Sequence, residues 1–430
     1  MALSLEQYRD IRKENPTIKN ILTKRIESQR KKALGFSINI CNQIPEHLII
    51  EILSRLPVKA LLQFKSVCKL WYDIIKSSYF ISRHLRNYYD NNNNWRDCLI
   101  VQYAITQAGE LNVYELLIDD TKNRALSYQA IETPVYNTYM CGPCDGIYYL
   151  NCFSVNRPTR SLWNPSLDEF KALPDITCWN PNLPSDSTNM MCVESYGFGY
   201  DYKTDDYTVI LIVYYIDTRD DNSEYTNNPL SILIYSLRTN SWRYWGDMVN
   251  SYGLEWSKSY DFVNGCYYWL AYRKLNYVKN YEMIVSFDIS GDTYEEIRLP
   301  EFESRPVLGS QLIVYQDSIA FVSLPPNDRT NFSIWTWNNV VWTQKLKMKL
   351  DFEVWGAFNQ WRDNMLVFRE ARSKLVLLDT NTKELFVLDY PRAGACRNIC
   401  AYKESLVSIN DFGKEISVRE EKPDKFPSIC

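Results

Sequence analysis

A strand, turn, strand pattern that recurs six times is the feature that most constrains the fold of this chain. Each copy has an apolar strand, a turn rich in Asp, Asn, Thr, Ser and Gly, and a second strand. Equivalent positions in the copies are Leu117, Trp163, Tyr235, Phe287, Trp335 and Leu378. They are about 50 residues apart with one longer gap, a period typical of four-stranded blades that bury their faces by stacking around an axis. We therefore expect an all-β propeller of about six blades over residues 97–420.

Two polar segments interrupt this strand region. One runs from Asn180 to Met190 and the other from Asp217 to Asn228, inside the longer gap. Both are too irregular for strands, and loops carried on a rigid scaffold often hold binding residues. We expect these two loops to contact a binding partner.

In residues 44–75 the apolar residues follow a helical spacing and not the alternation of a strand. Leu48, Ile52 and Leu53 begin a series of apolar residues at helical spacing, and Pro57 interrupts it because proline lacks an amide donor. The pattern predicts two or three short amphipathic helices. A unit of about 40 residues rarely forms a sufficient core alone. We therefore expect part of its apolar surface to be buried against another protein.

The motif in this helical run resembles the F-box. The matching residues are Ile44, Pro45, Leu48, Ile52, Leu53, Ser54, Arg55, Leu56, Pro57, Val58, Lys59, Leu61, Phe64, Lys65, Val67, Cys68, Lys69 and Trp71. The resemblance implies an F-box helical domain over residues 41–90 that docks a Skp-type adaptor, and through it cullin and RING subunits. The implied adaptor-binding residues are Ile44, Pro45, Leu48, Ile52, Leu53, Leu56, Pro57, Val58, Leu61, Phe64, Val67, Cys68 and Trp71. Some of them must turn inward to hold the helices together, and the sequence does not assign which.

The strand region resembles the kelch-like F-box-associated domain of plant F-box proteins. The clearest matches are Gly142 to Gly146, Leu162 to Pro165, Tyr196 to Asp201, Tyr235 to Arg243 and Gly265 to Trp269. The nearest class in character is the S-locus F-box class of pollen proteins. The implied fold is α+β and multidomain, with a small N-terminal helical F-box followed by an all-β kelch-like propeller. The implied function is substrate recognition in an SCF-type cullin-RING ubiquitin ligase that marks a target protein for proteasomal degradation. For the S-locus class, the target is a ribonuclease and the process is pollen self-incompatibility.

Charge is distributed unevenly along the chain. Residues 1–36 carry nine basic and four acidic residues, whereas the rest carries 39 basic and 48 acidic residues, a net charge of −9. We expect residues 1–40 to form a helical extension. An acidic body argues against a broad phosphate-binding surface, so nucleic acid is an unfavoured partner. A nucleic-acid-associated regulator that uses the basic N-terminus remains one alternative.

Hydropathy and cysteine usage indicate where such a chain works. The longest apolar run, Val209 to Ile216, is far shorter than the ~20 residues that span a bilayer, and the N-terminus lacks a secretory signal. The 12 cysteines are scattered through a large chain, which favours reduced thiols. We expect a cytoplasmic protein, also compatible with the nucleus, with no membrane partner.

The chemistry-bearing motifs favour a non-catalytic role. Cys141 to Cys144 has the letters of a redox tetrad, but a turn and strand follow it where a helix is needed. Cys396 and Cys400 have the wrong spacing to complete a zinc site with that tetrad. The two histidines, His47 and His84, both precede the strand region, which excludes a Ser-His-Asp or Cys-His site there. We expect no enzyme activity, cofactor or metal.

One enzymatic alternative stays open. A carbohydrate-binding or carbohydrate-active propeller would need paired carboxylates in a cleft. The acidic residues available for such a pair are Asp201, Asp205, Asp206, Glu295 and Glu296. Most of them fall in predicted turns, where Asp is common because its side chain bonds to nearby backbone.

Overall fold

The chain divides into two compact units in the computed structural model. One comprises Met1–Trp95 with Glu404–Leu406, and the other Arg96–Lys403 with Val407–Cys430. The residues that the structure describes are 44–90, 98–105, 111–120, 125–131, 138–152, 159–177, 181, 189–217, 230–248, 252–254, 260–273, 280–302, 310–325, 328–362, 364–370, 374–388, 390 and 396–413. The expected helical extension at residues 1–40 lies outside them.

The first unit contains four helices in its described part. They are α1 Glu46–Leu53, α2 Val58–Phe64, α3 Lys69–Lys76 and α4 Ser78–Asp90. Pro57 precedes α2 in an extended conformation, and its carbonyl accepts the amide of Ala60. A proline has no amide to lose at a helix start, so the predicted break at this residue is confirmed.

The prediction of two or three helices over residues 44–75 is confirmed, since α1, α2 and α3 lie there and α4 follows them, but one corner differs from the pattern. The sequence pattern joined Phe64, Val67, Cys68 and Trp71 on one helix face, but Cys68 is extended and caps α3. The rings of Phe64 and Trp71 meet edge to face across this corner, with centroids 5.3 Å apart. The bend at Cys68 between α2 and α3 brings Phe64 and Trp71 together. The sequence spacing of these two residues is therefore also compatible with one continuous helix.

The core of the helical unit draws on all four helices. Leu53, Leu61, Ile75 and Phe80 are almost fully buried. The first amide of α2, from Val58, donates to the Glu404 carboxylate at 2.7 Å. A residue from late in the sequence therefore satisfies an amide that has no partner within the helix.

The second unit is built from 25 strands in its described part. They are β1 Cys98–Ile105, β2 Leu111–Asp120, β3 Ala125–Ile131, β4 Thr138–Cys144, β5 Ile147–Cys152, β6 Thr159–Asn164, β7 Glu169–Ala172, β8 Asn189–Asp201, β9 Asp206–Asp217, β10 Ser231–Ser236, β11 Ser241–Asp247, β12 Tyr252–Leu254, β13 Tyr260–Val263, β14 Cys266–Arg273, β15 Asn280–Asp288, β16 Thr293–Arg298, β17 Gln311–Tyr315, β18 Ser318–Ser323, β19 Asn331–Trp337, β20 Trp342–Lys349, β21 Val354–Arg362, β22 Met365–Glu370, β23 Leu375–Asp379, β24 Leu385–Leu388 and β25 Cys396–Tyr402.

These strands form six antiparallel sheets, which are the six blades of a propeller. In chain order the blades are β25-β1-β2-β3, β4 to β7, β8 to β11, β12 to β16, β17 to β20 and β21 to β24. Neighbouring blades contact one another through their first strands. Strand β25 pairs with β1, Leu99 opposite Ala401, and this pairing closes the ring of blades. The expectation of about six blades is confirmed, and "kelch-like" describes this unit only loosely.

All six repeats found in the sequence are the same part of a blade. Each is the hairpin between the third and fourth strands, for example β10–β11 and β15–β16. Asn240 and Asp292 have positive φ angles of 51° and 55° in these turns. Asn and Asp tolerate this conformation better than other residues with side chains, so the turn composition follows from the backbone.

The core of the second unit lies between blades. Phe332 and Ile334 of the fifth blade pack against Leu366 and Phe368 of the sixth in one buried cluster. Elsewhere, a Cβ added at Gly197 would lie 2.6 Å from the ring of Tyr267 in the next blade. Glycine is therefore needed at this position so that the two blades can approach closely.

Candidate functional site

The surface of α1 carries apolar side chains that the fold leaves uncovered. Pro45, Leu48 and Ile52 lie at positions i, i+3 and i+7, so they share one face of the helix. Leu48 is 45% exposed and Ile52 is 54% exposed. On the opposite face, Ile49 and Leu53 are buried. We call Pro45, Leu48 and Ile52 the α1 stripe.

The structure divides the thirteen predicted adaptor-binding residues into three groups. The α1 stripe is exposed. Half-buried positions are Ile44, Leu56, Pro57, Phe64, Val67, Cys68 and Trp71. Leu53, Val58 and Leu61 are at most 1% exposed, which is inconsistent with direct contact to a partner in this conformation. These three are the members of the set that turn inward, and they support the helices that carry the stripe.

Sequence reasoning missed three exposed apolar residues of the same unit. They are Leu62, Tyr72 and Tyr79. Leu62 and Tyr72 directly follow Leu61 and Trp71, which the helical spacing placed on the apolar face. Adjacent helix residues point in different directions, so the spacing did not identify Leu62 and Tyr72. Tyr79 lies on α4, beyond the residues that the pattern covered.

Charged side chains hold α1 in place beside its stripe. Arg55, four residues after Glu51, and Arg83 from α4 both form ion pairs with the Glu51 carboxylate. The hydrogen bond from Arg55, opposed by some desolvation and assisted by the charge of Arg83, lowers the pKa of Glu51. These residues join α1 to α4 and fix the orientation of the stripe.

A buried histidine supports the same helices. Nε2 of His84 on α4 lies 2.9 Å from the carbonyl oxygen of Leu56, which follows α1. Burial lowers the pKa of His84 because a charged imidazolium would lose its hydration, although the carbonyl partner acts in the opposite direction. The residue is therefore a packing element that favours its neutral form.

The strand ends that border the two loops predicted to contact a partner lie close together in the third blade. Asn189 at the start of β8 pairs with Asp217 at the end of β9. Ser231 at the start of β10 pairs with Val213 of β9, close to the same edge. Apart from Pro181, Asn189, Met190 and Asp217, both predicted loops lie outside the described residues. The described strand ends that border the two loops lie at one edge of the third blade.

The opposite face is formed by short turns held by their own side chains. The turn between β8 and β9 is one of them: Asp201 accepts hydrogen bonds from Ser290, Thr204 and the amide of Lys203. Arg238 forms an ion pair with Asp205. Asp201 and Asp205, which were considered for a glycosidase pair, thus serve turn structure here, whereas Glu295 and Glu296 lie in β16.

The Cys141 to Cys144 tetrad lies in a strand. Strand β4 ends at Cys144, the chain turns at Asp145, and both thiols are buried. Burial raises the pKa of Cys144 well above its ordinary value, and the nearby Asp145 carboxylate adds to the effect. A redox thiol needs the opposite shift and a helix start, so this motif is structural.

The described part of the chain offers neither a cluster of metal ligands nor a membrane-spanning helix. Within the ranges given above, no three His, Cys, Asp or Glu side chains come together as metal ligands would. None of the described helices has both the length and the apolar character required to cross a membrane.

Comparison with protein families matches both units. The model of the F-box domain matches residues 41–83, and the model of the F-box-associated beta propeller domain matches residues 89–414. The F-box protein CPR1 of Arabidopsis thaliana is 25% identical over 369 residues, covering 80% of this chain and 84% of that protein. An F-box/kelch-repeat protein of the same plant is 23% identical and covers 86% of this chain and 97% of its own length.

Similarity to solved structures is more distant. A chain from the nidogen/laminin complex is similar over 72% of this chain and 99% of its own length, with 10% identity and a TM-score of 0.41. This similarity does not bear on function.

Proposed function

Because the chain belongs to the family of F-box proteins that carry an F-box-associated β-propeller domain, we propose that it is the substrate-recognition subunit of an SCF-type ubiquitin ligase. In this role the helices dock a Skp-type adaptor, and through it cullin and RING subunits. The propeller holds the protein to be ubiquitinated. Catalysis then belongs to other subunits, and the chain needs no cofactor.

The observation that carries this proposal is the exposed α1 stripe. Leu48 and Ile52 together leave a large apolar area in water although buried positions exist one residue away at Ile49 and Leu53. Removing a large aliphatic side chain from water contributes roughly 1.5–3 kcal/mol. A partner that covers the stripe would recover this free energy, which the helical unit alone does not.

The half-buried residues extend the proposed docking surface. Phe64 and Trp71 pack together at the α2–α3 corner and keep part of their rings accessible. Aromatic residues that are partly buried in their own chain lose little conformational entropy on binding, which favours them as anchors. We place Phe64 and Trp71 beside the α1 stripe in function, as adaptor contacts.

A pull-down with a purified Skp-type adaptor tests the docking role. We expect the double variant Leu48→Asp/Ile52→Asp to bind at least about tenfold more weakly, since covering the exposed half of each side chain contributes roughly 0.7–1.5 kcal/mol. Val387→Asp in β24 is the matched control, because Val387 is 61% exposed but lies in the propeller. Binding by the control should equal that of the unaltered chain. Equal binding by the double variant would refute the docking proposal.

For the target, we propose that the two loops at the shared edge of the third blade make the contact. Support comes from the strand ends that border the loops, which lie at one edge of the blade, and from the net charge of −9 outside residues 1–36. An acidic protein attracts basic targets at long range. A ribonuclease of the S-locus type, in pollen self-incompatibility, is the specific target that the family resemblance predicts.

Replacing residues 218–228 by a Gly-Ser linker of equal length tests this assignment. We expect the altered chain to bind the adaptor normally and to lose targets that the unaltered chain captures from pollen-tube extract, with the ribonucleases among them. Capture of the same targets in the same amounts would redirect the search to another surface. The adaptor measurement shows in either case that the helical unit is intact.

A further inference from the structure

A groove on the rim of the propeller has a composition that the adaptor role does not use. It lies between β16 of the fourth blade and the β19–β20 hairpin of the fifth, and its volume is about 530 Å³. We call it the rim groove and define it by the residues that give it its chemistry. They are Glu295, Glu296, Glu301, Trp335, Trp337 and Trp342.

The indole rings of the rim groove are held in place by the fold. Nε1 of Trp342 donates to the carbonyl oxygen of Arg298 at 2.8 Å, and Nε1 of Trp335 donates to Oγ of Ser333 at 2.9 Å. The rings of Trp337 and Trp342 lie 5.3 Å apart. Two of the three indoles thus have their N–H groups occupied within the protein. What they offer a ligand is aromatic surface.

The tip of the hairpin adds exposed apolar side chains. Val340 is 81% exposed and Val341 is 54% exposed, in a turn where polar residues are usual. Oδ1 of Asn338 accepts the amides of both valines, which fixes the turn without using their side chains. The fold therefore gains nothing from these two side chains, whereas a partner lying along the groove could cover them.

The charges of the rim groove favour a cationic ligand. Three exposed glutamates, Glu295, Glu296 and Glu301, and one exposed arginine, Arg298, line the groove, so its lining is net negative. A Lys or Arg side chain above an indole face gains a cation–π interaction, and nearby carboxylates strengthen it. A neutral sugar would gain the stacking but not the charge.

From this combination of fixed indoles, exposed valines and carboxylates, we propose that the rim groove binds an extended peptide segment in which Lys or Arg residues alternate with apolar ones. The basic side chains lie over the indoles beside Glu295 and Glu296, and an apolar side chain contacts Val340. This site concerns the propeller alone, and it would hold whether or not the helices dock an adaptor.

Fluorescence anisotropy with a labelled 12-residue peptide of alternating Lys and Val tests this site on the full chain. We expect saturable binding that weakens with salt, and none of a peptide in which Glu replaces Lys. The variant E295Q/E296Q should bind about tenfold more weakly, since it removes two of the carboxylates that attract the basic side chains. The variant V340S/V341S should also bind more weakly, because it removes the apolar side chains that the peptide contacts. The turn should stay in place, since the backbone amides at both positions still donate to Asn338.

The matched control is D351N/E353Q, which removes two exposed carboxylates outside the groove. It should bind the Lys-Val peptide like the unaltered chain at equal salt, which separates a local site from general attraction to an acidic protein. Equal weakening by the control and by E295Q/E296Q would overturn the proposal. Absence of peptide binding, or preference for a neutral oligosaccharide such as cellohexaose, would overturn it as well.

Discussion

The helical unit and the propeller handle apolar surface in opposite ways. Among the described residues, the exposed large apolar side chains are Leu48, Ile52, Leu62, Tyr72 and Tyr79 in the helices and Tyr202, Val340, Val341, Trp355, Phe386 and Val387 in the propeller. The helical unit thus contributes nearly half of them although it is only a small part of the chain. The propeller, whose blades cover each other, leaves few such residues uncovered for its size.

The difference follows from geometry. A blade has two apolar faces, and closing the ring through the pairing of β25 with β1 gives every face a neighbour. Four short helices have no such closure, so burying one side of α1 leaves the other side in water. The uncovered side is therefore where we expect a partner, and four predictions test this contrast.

The largest effect is expected from Leu53→Asp. Leu53 is 1% exposed in the helical core, and a buried unpaired carboxylate there should cost about 4 kcal/mol or more. Hydrogen exchange of residues 46–90 should lose its protection while the propeller keeps its own. Leu48→Asp, one turn away on the exposed face, should leave protection unchanged. Similar exchange in the two variants would remove the distinction between inward and outward residues.

In the propeller, Gly197→Ala should disturb the contact between the third and fourth blades. The new Cβ would lie 2.6 Å from the ring of Tyr267, and overpacking of this kind costs about 2 kcal/mol. Urea unfolding should show a lower midpoint. Adding Tyr267→Leu should restore part of the loss, since a smaller side chain leaves room. If the second change lowers stability further and restores nothing, the close approach is not the cause.

A smaller loss of stability in the propeller is expected from a change at Asn164. Its side chain donates to the carbonyl of Val407 at 2.8 Å and accepts the amide of Ser166, so it ties the second blade to the chain after β25. Asn164→Ala should lower the free energy of unfolding by about 2 kcal/mol. The exposed Asn410 is the control, and Asn410→Ala should have no measurable effect. Equal losses in the two variants would contradict the assigned role.

The smallest effect concerns pH and the helical unit. Unfolded chains protonate histidine near pH 6.5, whereas burial keeps the pKa of His84 lower in the folded unit. The stability due to His84 is therefore complete above about pH 6.5 and is lost as the pH falls through the lower folded pKa. Hydrogen exchange of residues 46–90, corrected for intrinsic rates, should show weaker protection at pH 5 than at pH 7.5. His84→Gln should reduce this difference, and an undiminished difference would assign it to other groups.

The repeat was enough to predict the propeller because strand alternation and turn chemistry are local. Asn240 and Asp292 stand where the backbone needs a positive φ, and both were visible as turn residues. The pairing of β1 with β25 was not predictable in the same way. It joins residues about 300 positions apart, and nothing local in Leu99 or Ala401 indicates the partner.

For the candidate site, the sequence predicted the apolar residues but not their direction. Ile52 and Leu53 are adjacent and equally apolar, yet one is exposed and the other buried. Only the packing of α1 on the other helices decides between them. The corner at Cys68 escaped prediction for a related reason, since Phe64 and Trp71 meet across it at a spacing that also fits one helix.

Carbene footprinting of the full chain, with and without a Skp-type adaptor, measures the central claim most directly. The extent of carbene labelling of each side chain, measured by mass spectrometry, reports whether that side chain is exposed to solvent. We predict strong labelling of Leu48 and Ile52 in the free chain and its loss in the complex, with Val387 labelled equally in both. Unchanged labelling of Leu48 and Ile52 in a complex that demonstrably forms would contradict the account.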